Sequence, residues 1–332
     1  MKKIFITGGG GYCGSQLVPY LLKKGFFITI YDTFFFGHDH LPKNNNLKLI
    51  QGDIRDVNKV ENSIGNNDIF LHLACISNDT SFALNEELST TINFNAFEPL
   101  VITAKKKLIK RFIYASSSSV YGISDQKNVT EDHPLKPLTL YNKYKGLCEP
   151  LLFKHTDENF EGVVFRPATV CGYAPRLRLD LSVNILTNHA VSKNKITVFG
   201  GTQLRPNLHV MDYCRAVLCL INAKKENINN NIFNIGSENL SINDIAQKVK
   251  SIVEIEFPEK EKIEIVNTIS DDLRSYHINS DKILKVLKFK PKFSVEDAVI
   301  DLCNAFKKGL IKDSFDDSKF YNVRKLKEIN AI

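Results

Sequence analysis

Tyr141 and Lys145 stand four residues apart in the stretch Tyr141-Asn142-Lys143-Tyr144-Lys145. On a helix this spacing puts both side chains on one face. Together they form a device for moving a proton. A phenol near pKa 10 is a poor base at neutral pH, and a neighbouring ammonium favours the phenolate and lowers that value. A fall of about three units needs roughly 4 kcal/mol of differential stabilisation. Upstream, Ser116-Ser117-Ser118-Ser119-Val120-Tyr121-Gly122 follows an apolar strand-like run. A hydroxyl at that strand end can bond a substrate oxygen and steer its proton to Tyr141. A Tyr-x-x-x-Lys pair alone arises by chance on many helices, so its meaning depends on what lies around it.

The elements that must position these residues begin at the first residues of the chain. Lys3 to Thr7 is a short apolar run rich in β-branched residues, long enough for one buried strand. Gly8-Gly9-Gly10-Gly11-Tyr12-Cys13-Gly14 follows, and an apolar helical pattern runs on to Lys24. Strand, glycine turn and helix are the dinucleotide-binding arrangement. Gly8 permits the tight turn, Gly11 lets the backbone approach a pyrophosphate, and Gly14 lets the helix pack on the strand. The helix N-terminus offers free N–H groups and a partial positive charge to phosphates. Phe27 to Tyr31 is a second strand ending at Asp32, roughly 20 residues past the glycines, where a carboxylate accepts hydrogen bonds from a ribose 2′-OH. Such a carboxylate repels a 2′-phosphate, so the cofactor is expected to be NAD and not NADP. In that setting Lys145 would also bond the nicotinamide ribose, and the positive nicotinamide ring would help lower the Tyr141 pKa. Phe34, Phe35 and Phe36 offer a cover for the cofactor or a subunit interface, and are expected above all to pack under their loop.

Further strands are expected at Leu47 to Gln51, Ile69 to Leu73, Arg111 to Ser116 and Val163 to Phe165, with helices at Leu88 to Lys107 and Leu140 to Thr156. This alternation predicts an α/β fold, a doubly wound parallel sheet of the Rossmann kind, with a smaller interleaved α/β substrate-binding lobe. The expected division is a dinucleotide-binding domain over 1–167, with a returning strand near 231–236, and mainly the substrate lobe over 168–332. Ser241 to Val253 and Ser280 to Leu287 carry helical patterns in that lobe. Pro19, Pro99 and Pro150 fall inside helical patterns and are expected to kink them. The last fifteen or so residues are polar and read as a loosely held tail. His72 reads as a packed strand histidine.

The composition excludes several classes. The chain has 332 residues, 43% of them hydrophobic, which suits a globular protein with a full core. It carries no apolar run of membrane-spanning length and no signal-peptide pattern, so neither a membrane partner nor a leader is expected. Seven scattered cysteines, with no Cys-x-x-Cys, argue for reduced thiols in a cytosol and against a disulfide frame or a metal site. The net charge of +7 is spread along the chain. It suits an anionic substrate and forms no stripe for nucleic acid.

With these residues in place the chain resembles an extended short-chain dehydrogenase/reductase of the nucleotide-sugar epimerase/dehydratase family. The resemblance rests on TGGGGYCG, GDIRD, HLA, SSSSVYG, YNKYK, a strand ending Arg166-Pro167, and Arg205-Pro206 before His209-Val210-Met211-Asp212. It covers essentially the whole chain. It implies that Ser117 is the family's catalytic hydroxyl beside Tyr141 and Lys145. It implies a cofactor site of Gly8, Gly11, Tyr12, Cys13, Gly14 and Asp32, with Asp53 and Ile54 against the adenine and Leu73 and Ala74 beside the cofactor. It implies a substrate site drawn from Ser117, Ser118, Thr169, Asn184, Arg205 and Arg274, the two arginines at the diphosphate, where a guanidinium fork binds phosphate oxygens in pairs. Thr169 stands where the family usually has Asn. Members commonly pair through helices matching Leu88–Lys107 and Leu140–Thr156, so a homodimer is expected. The stretches HLACISNDT and RLRLDLSVNILTNHA look most like a bacterial subgroup of surface-polysaccharide pathways that includes capsule GDP-heptose C4 dehydrogenases.

The function expected from this pattern is oxidation at C4 of a nucleotide-activated sugar. Tyr141 takes the hydroxyl proton and hydride goes to NAD. The 4,6-dehydratases of the family carry an Asp-Glu pair directly after the residue matching Ser117, where this chain has Ser118 and Ser119. A hydroxyl cannot replace a carboxyl group as general acid or base at neutral pH, so dehydration is not expected. The 4-keto sugar is then either reduced again, giving a 4-epimer, or released, which leaves NADH and requires a second oxidant. A non-catalytic NAD-binding regulatory protein on the same fold is the alternative of a different class, and such a protein has no need of the Ser-Tyr-Lys set.

Overall fold

The computed structural model describes residues 2–124, 126, 128–269 and 275–331. The first half runs β1 (Lys3–Thr7), α1 (Tyr12–Lys23), β2 (Phe27–Asp32), β3 (Leu47–Gln51), α2 (Val57–Ile64), β4 (Ile69–His72), α3 (Asp79–Phe82), α4 (Glu86–Thr90), a π-helical turn (Thr91–Asn95), α5 (Phe97–Lys106), β5 (Arg111–Ala115), a 3₁₀ turn (Ser118–Tyr121), α6 (Leu140–Lys154) and β6 (Glu161–Pro167). The second half runs β7 (Thr169–Cys171), α7 (Ser182–Lys193), β8 (Lys195–Phe199), β9 (Leu204–His209), α8 (Val210–Asn222), α9 (Lys225–Ile228), β10 (Asn231–Ile235), β11 (Glu238–Ser241), α10 (Ile242–Glu256), β12 (Glu264–Thr268), α11 (Asp281–Leu287) and α12 (Val295–Lys307). A 3₁₀ turn (Ser318–Phe320) and α13 (Asn322–Glu328) close it.

Seven parallel strands form the main sheet in the order β10-β6-β5-β4-β1-β2-β3. Central strands read as unbroken apolar runs because both faces are covered, and Ile4, Phe5 and Ile6 are wholly buried. One face packs on α1 and α8 through Leu17, Val18, Leu21, Val217 and Leu220. The other packs on α2, α5 and α6 through Val60, Ile64, Phe97, Leu100 and Leu152. Strand order reverses at β1, with β2 on one side and β4 on the other, so a crevice opens beyond the carboxyl ends of β1 and β4. A third core, built by α7, α10 and α12 around β8 and β12, forms the smaller α/β layer.

Several expectations change here. The helix expected over Leu88–Lys107 is broken by the π-turn at Thr91–Asn95, and Pro99 sits in the first turn of α5. A proline there lacks only an N–H that would be unpaired in any case. Helices α1 and α6 run on through Pro19 and Pro150. Although it lies after residue 167, α8 packs on α1 against the main sheet. The polar tail is docked: Phe320, Tyr321, Asn322 and Leu326 are buried. Its charged residues face water on one side of a short helix, and a tally of polarity does not show that arrangement.

Beneath the sheet's carboxyl edge lies a buried ion pair. Glu149 accepts two hydrogen bonds from Arg166, at 2.9 and 2.5 Å, and one from Ser116 Oγ at 2.6 Å, with both charged side chains 3% exposed. Arg166 also donates to Tyr121 Oη at 2.7 Å, and Tyr121 donates on to Asn234 Oδ1 at 2.7 Å. The network joins β5, α6, β6 and β10. Removing one partner strands a buried charge, so Arg166→Met should lower unfolding free energy by roughly 3–5 kcal/mol. The double variant Glu149→Leu/Arg166→Met should lose clearly less than the sum of the single changes. Urea denaturation measures both, and a single-variant loss below about 1 kcal/mol, the range of an exposed bridge, would contradict this account.

Candidate active site

The crevice at the strand-order reversal is a cavity of about 380 Å³. One wall is the glycine turn. Gly8 has φ +75°, and a Cβ on it would fall 2.4 Å from Ala74 N. A Cβ on Gly14 would fall 2.3 Å from Gly9 O, which is why helix and strand can close on each other. Gly11 lines the cavity, and a Cβ there would meet only Gly8 O, at 3.4 Å, so the missing side chain keeps the approach to the backbone clear. Helix α1 begins after Gly11 with no side-chain cap. Its first-turn N–H groups are therefore not taken by a capping side chain. A glycine cradle that any side chain would fill, opening an uncapped helix, fits a dinucleotide pyrophosphate.

Asp32 ends β2 at the cavity. Its carboxylate accepts from Gly10 N at 2.9 Å and Phe34 N at 2.8 Å. Burial raises its pKa, while these amides and Arg176 oppose the rise. A carboxylate has about four lone-pair sites, so acceptor capacity remains for a ribose hydroxyl. Phe34, Phe35 and Phe36 line the cavity, and Phe34 also packs against the core of the main sheet. Phe34 takes φ 54°, a left-handed conformation rare for an aromatic residue, and its N–H is held by Asp32. Asp53, Ile54, Leu73 and Ala74 all line the same wall. The Asp53 carboxylate is already paired with Arg55 at 2.6 Å. Cys13 lines the cavity, with its thiol pushed up to about 12 by burial. Tyr12 lines it too, but its hydroxyl donates to Gly172 O at 2.6 Å. His72 is buried, paired with Thr7 Oγ1 at 2.7 Å, and held down to about 3 by burial.

Opposite the glycine turn stand Ser117, Tyr141 and Lys145, brought to one cavity by the end of β5 and the first turns of α6. Thr139 caps α6 and donates to Asp79 Oδ1 at 2.5 Å. Ser119 donates to Asn142 Oδ1, and Ser117 Oγ lies 2.7 Å from Ser119 Oγ. Each hydroxyl has one proton. That of Ser119 goes to Asn142, so Ser117 gives its own to Ser119. Lys145 Nζ donates to Ala115 O at 2.8 Å.

The chain's own groups leave Tyr141 a weak base. Burial holds its phenol well above the ordinary value, and Cys75 and Asp79 push the same way. Arg178 and the backbone N–H of Asn78 pull it down, and Lys145 is not among the main influences. A lysine one turn along the helix is near in sequence terms, but its ammonium is turned to a backbone carbonyl, and a desolvated phenol stays protonated.

The substrate residues divide. Ser117, Ser118 and Thr169 line the cavity. Asn184 does not: it is fully buried, accepting from Gly172 N at 3.0 Å and donating to Arg178 O at 2.8 Å and Tyr12 Oη at 3.3 Å. It holds the β7–α7 connection together. Arg205 is also outside the lining; it lies 5.6 Å from the ring of Tyr276, and Tyr276 itself faces the cavity. Arg274 falls outside the described residues. Sequence reasoning missed Ser77, Asn78, Asp79, Arg176, Arg178 and Asn322, all of which line the cavity. Asn78 offered one signal, an Asn-Asp pair after a strand, where Asn tolerates positive φ. It takes φ 72°, ψ 160°, a region that belongs almost entirely to glycine and marks stored strain.

Fold and cavity define a dinucleotide-binding α/β protein with a tyrosine-lysine-serine site. The chain matches the NAD dependent epimerase/dehydratase family over residues 4–236 and belongs to that family, as an enzyme. It is 30% identical over 264 residues to the UDP-N-acetyl-alpha-D-glucosaminuronate decarboxylase of Bacillus cytotoxicus, covering 76% of this chain and 80% of that one. It is 26% identical over 304 residues to the low-salt glycan biosynthesis protein Agl12 of Haloferax volcanii, covering 89% and 96%. Among solved structures, the UDP-glucuronic acid 4-epimerase of Bacillus cereus, in complex with UDP-glucuronic acid and NAD, superposes with a TM-score of 0.79 at 27% identity. That match covers 92% of this chain and 99% of that one.

The buried Asp32 carboxylate predicts cofactor choice. With ligand-free protein, NAD should bind on the order of tenfold or more tighter than NADP, because a 2′-phosphate beside Asp32 meets like charge. Calorimetric titration of both cofactors checks this, and equal affinities would rule it out.

Proposed function

We propose that this enzyme binds NAD on the glycine turn and oxidises C4 of a nucleotide-linked sugar in surface-polysaccharide biosynthesis, with a GDP-heptose-type sugar as substrate and the 4-keto sugar as product. The observation that carries this is the convergence of Ser117, Tyr141 and Lys145 on the cavity that Gly8, Gly11 and Asp32 line from the other side. When bound, NAD supplies the hydride acceptor and a ring positive charge that favours the Tyr141 phenolate. On binding substrate, Ser117 turns its own hydroxyl proton from Ser119 to the C4 oxygen, so that the single C4 hydroxyl proton faces Tyr141. Tyr141 takes the hydroxyl proton, and Arg178 and the Asn78 amide offset part of its burial. Lys145, fixed on Ala115 O, holds its ammonium on the wall it shares with Tyr141 and bonds the nicotinamide ribose. Thr169 and Ser118 contribute to the sugar site.

Ser118 and Ser119 speak against dehydration. Ser118 is buried and Ser119 is bound to Asn142, and neither carries the carboxyl that eliminating relatives use there. Asp79, a carboxylate in the cavity lining, is engaged by Thr139 and Asn142. A 4-epimerase is the second reading, favoured by the likeness to the Bacillus cereus epimerase. It differs only in returning the hydride to the other face of C4. Release of the ketone instead leaves NADH and calls for a second oxidant. Pairing of two copies through α5 and α6 would cover Ile102 and Leu147, which are exposed on these helices.

Tyr141→Phe keeps the ring and removes the proton acceptor. Turnover of the true substrate should fall on the order of 10²-fold or more while NAD still binds. Near-normal turnover would dismiss the mechanism. The reaction type follows from weighing the products of UDP-, dTDP- and GDP-sugars. Loss of two hydrogens is the expected result and unchanged mass with inverted C4 identifies the epimerase; loss of water, giving a 6-deoxy-4-keto sugar, would defeat both.

A further inference from the structure

Arg176 occupies a position that the function above does not use. It lies in the connection between β7 and α7, lines the cavity, and is only 5% exposed. Its backbone N–H donates to Ser15 Oγ at 3.1 Å, which fixes it against the first turn of α1. Its guanidinium lies 3.7 Å from the centre of the Phe36 ring and donates through one Nη to Asn322 Oδ1 at 2.5 Å. Its Nε is buried with no hydrogen-bond partner among the described residues. Among the described residues no carboxylate is hydrogen-bonded to it: Asp180 is bound to Arg178 and to Asn322 N, and Asp32 to two backbone amides. Burial, with Arg178 alongside, pulls the guanidinium down to about 9. A cation so placed lacks an anion.

Two independent features thus meet at one place: an uncapped helix N-terminus behind a glycine cradle, and a buried guanidinium with an unpaired donor. Arg176 also touches the C-terminal segment. Asn322 accepts from Arg176, donates to Ser77 Oγ at 3.0 Å, and gives its backbone N–H to Asp180 at 3.2 Å. Leu326, one turn further along α13, lines the same cavity. The tail therefore crosses the cleft from the β7–α7 connection to the loop after β4.

We propose that Arg176 binds the pyrophosphate of the dinucleotide opposite the glycine turn, and that its bond to Asn322 makes the C-terminal helix a strap that closes over the bound cofactor. The assignment rests on the NAD-binding reading of the cavity and adds two parts to it. The glycine turn holds the phosphates from one side with backbone amides, and Arg176 holds them from the other with a charged fork. The same guanidinium, held by both partners, ties cofactor binding to the order of residues 318–328.

The test titrates NAD, ADP-ribose, adenosine and NADP against full-length protein freed of nucleotide, in wild type, Arg176→Gln and Arg176→Lys. Arg176→Gln should weaken NAD and ADP-ribose roughly tenfold or more, the loss expected of a charge-assisted bond. Adenosine, which has no phosphate, should bind both proteins equally, and Arg176→Lys should fall between. Hydrogen exchange over 318–328 should slow on adding NAD to wild type and change little in Arg176→Gln. Equal NAD affinity in wild type and Arg176→Gln overturns the assignment while leaving the function standing. Equal loss of adenosine overturns it in favour of a purely structural arginine. A loss confined to NADP overturns it in favour of a 2′-phosphate contact. If wild type binds no NAD at all, both this assignment and the proposed function fall.

Discussion

The site depends on one buried carboxylate. Tyr141, Lys145 and Glu149 follow one another at intervals of four along α6, so they share a face. The third of them is anchored. Glu149 takes two bonds from Arg166 on β6 and one from Ser116 at the end of β5. Two charges removed from water tolerate little displacement, since a lengthened bond leaves either ion poorly compensated. The pair therefore fixes the rotation and depth of α6 against the sheet. With α6 fixed, Tyr141 and Lys145 are fixed, and Ser117 follows because it is the next residue after Ser116. The ion pair is better understood as a positioning device than as a source of stability, since well-packed apolar residues would hold the layers together about as well.

The cavity wall contributed by the second half of the chain obeys a different constraint. It comes from a connection, not from a strand or helix face, and connections are held by explicit hydrogen bonds. Asn184 bonds Gly172 and Arg178 O, Tyr12 bonds Gly172 O, and Ser15 bonds Arg176 N. These contacts place Arg176 and Arg178 at the cofactor cleft. Asn184 thereby shapes the cleft without entering it.

The main sheet was legible because its signals are local. β1 is an apolar run closed by glycines, β2 ends in an acid, and the strand–helix alternation admits few topologies. Ser117, Tyr141 and Lys145 were legible for the same reason, as fixed spacings beside recognisable elements. What escaped was non-local. Arg176 and Asn322 lie 146 residues apart and meet through a single side-chain bond. No periodicity announces such a contact. Arg205 and Asn184 were assigned to the substrate site with the family resemblance; Arg205 lies 5.6 Å from the ring of Tyr276, which lines the cavity, and Asn184 is buried behind the wall. The docked tail was missed because α13 buries only a narrow side, chiefly Asn322 and Leu326, amid charged neighbours.

The state of Tyr141 ties these observations together. Sequence spacing suggested that its neighbouring ammonium, together with the positive nicotinamide ring, would prepare it as a base. In the folded chain, burial dominates and the phenol stays protonated, with Lys145 committed to Ala115 O. A proton acceptor that is disfavoured until positive charge arrives nearby is a gated one. Arg178, paired with Asp180 at 2.8 Å, offsets only part of this bar. The phenolate must therefore be favoured by whatever charged partner the cavity admits. On the function proposed above, proton removal by Tyr141 would then follow occupancy of the dinucleotide site.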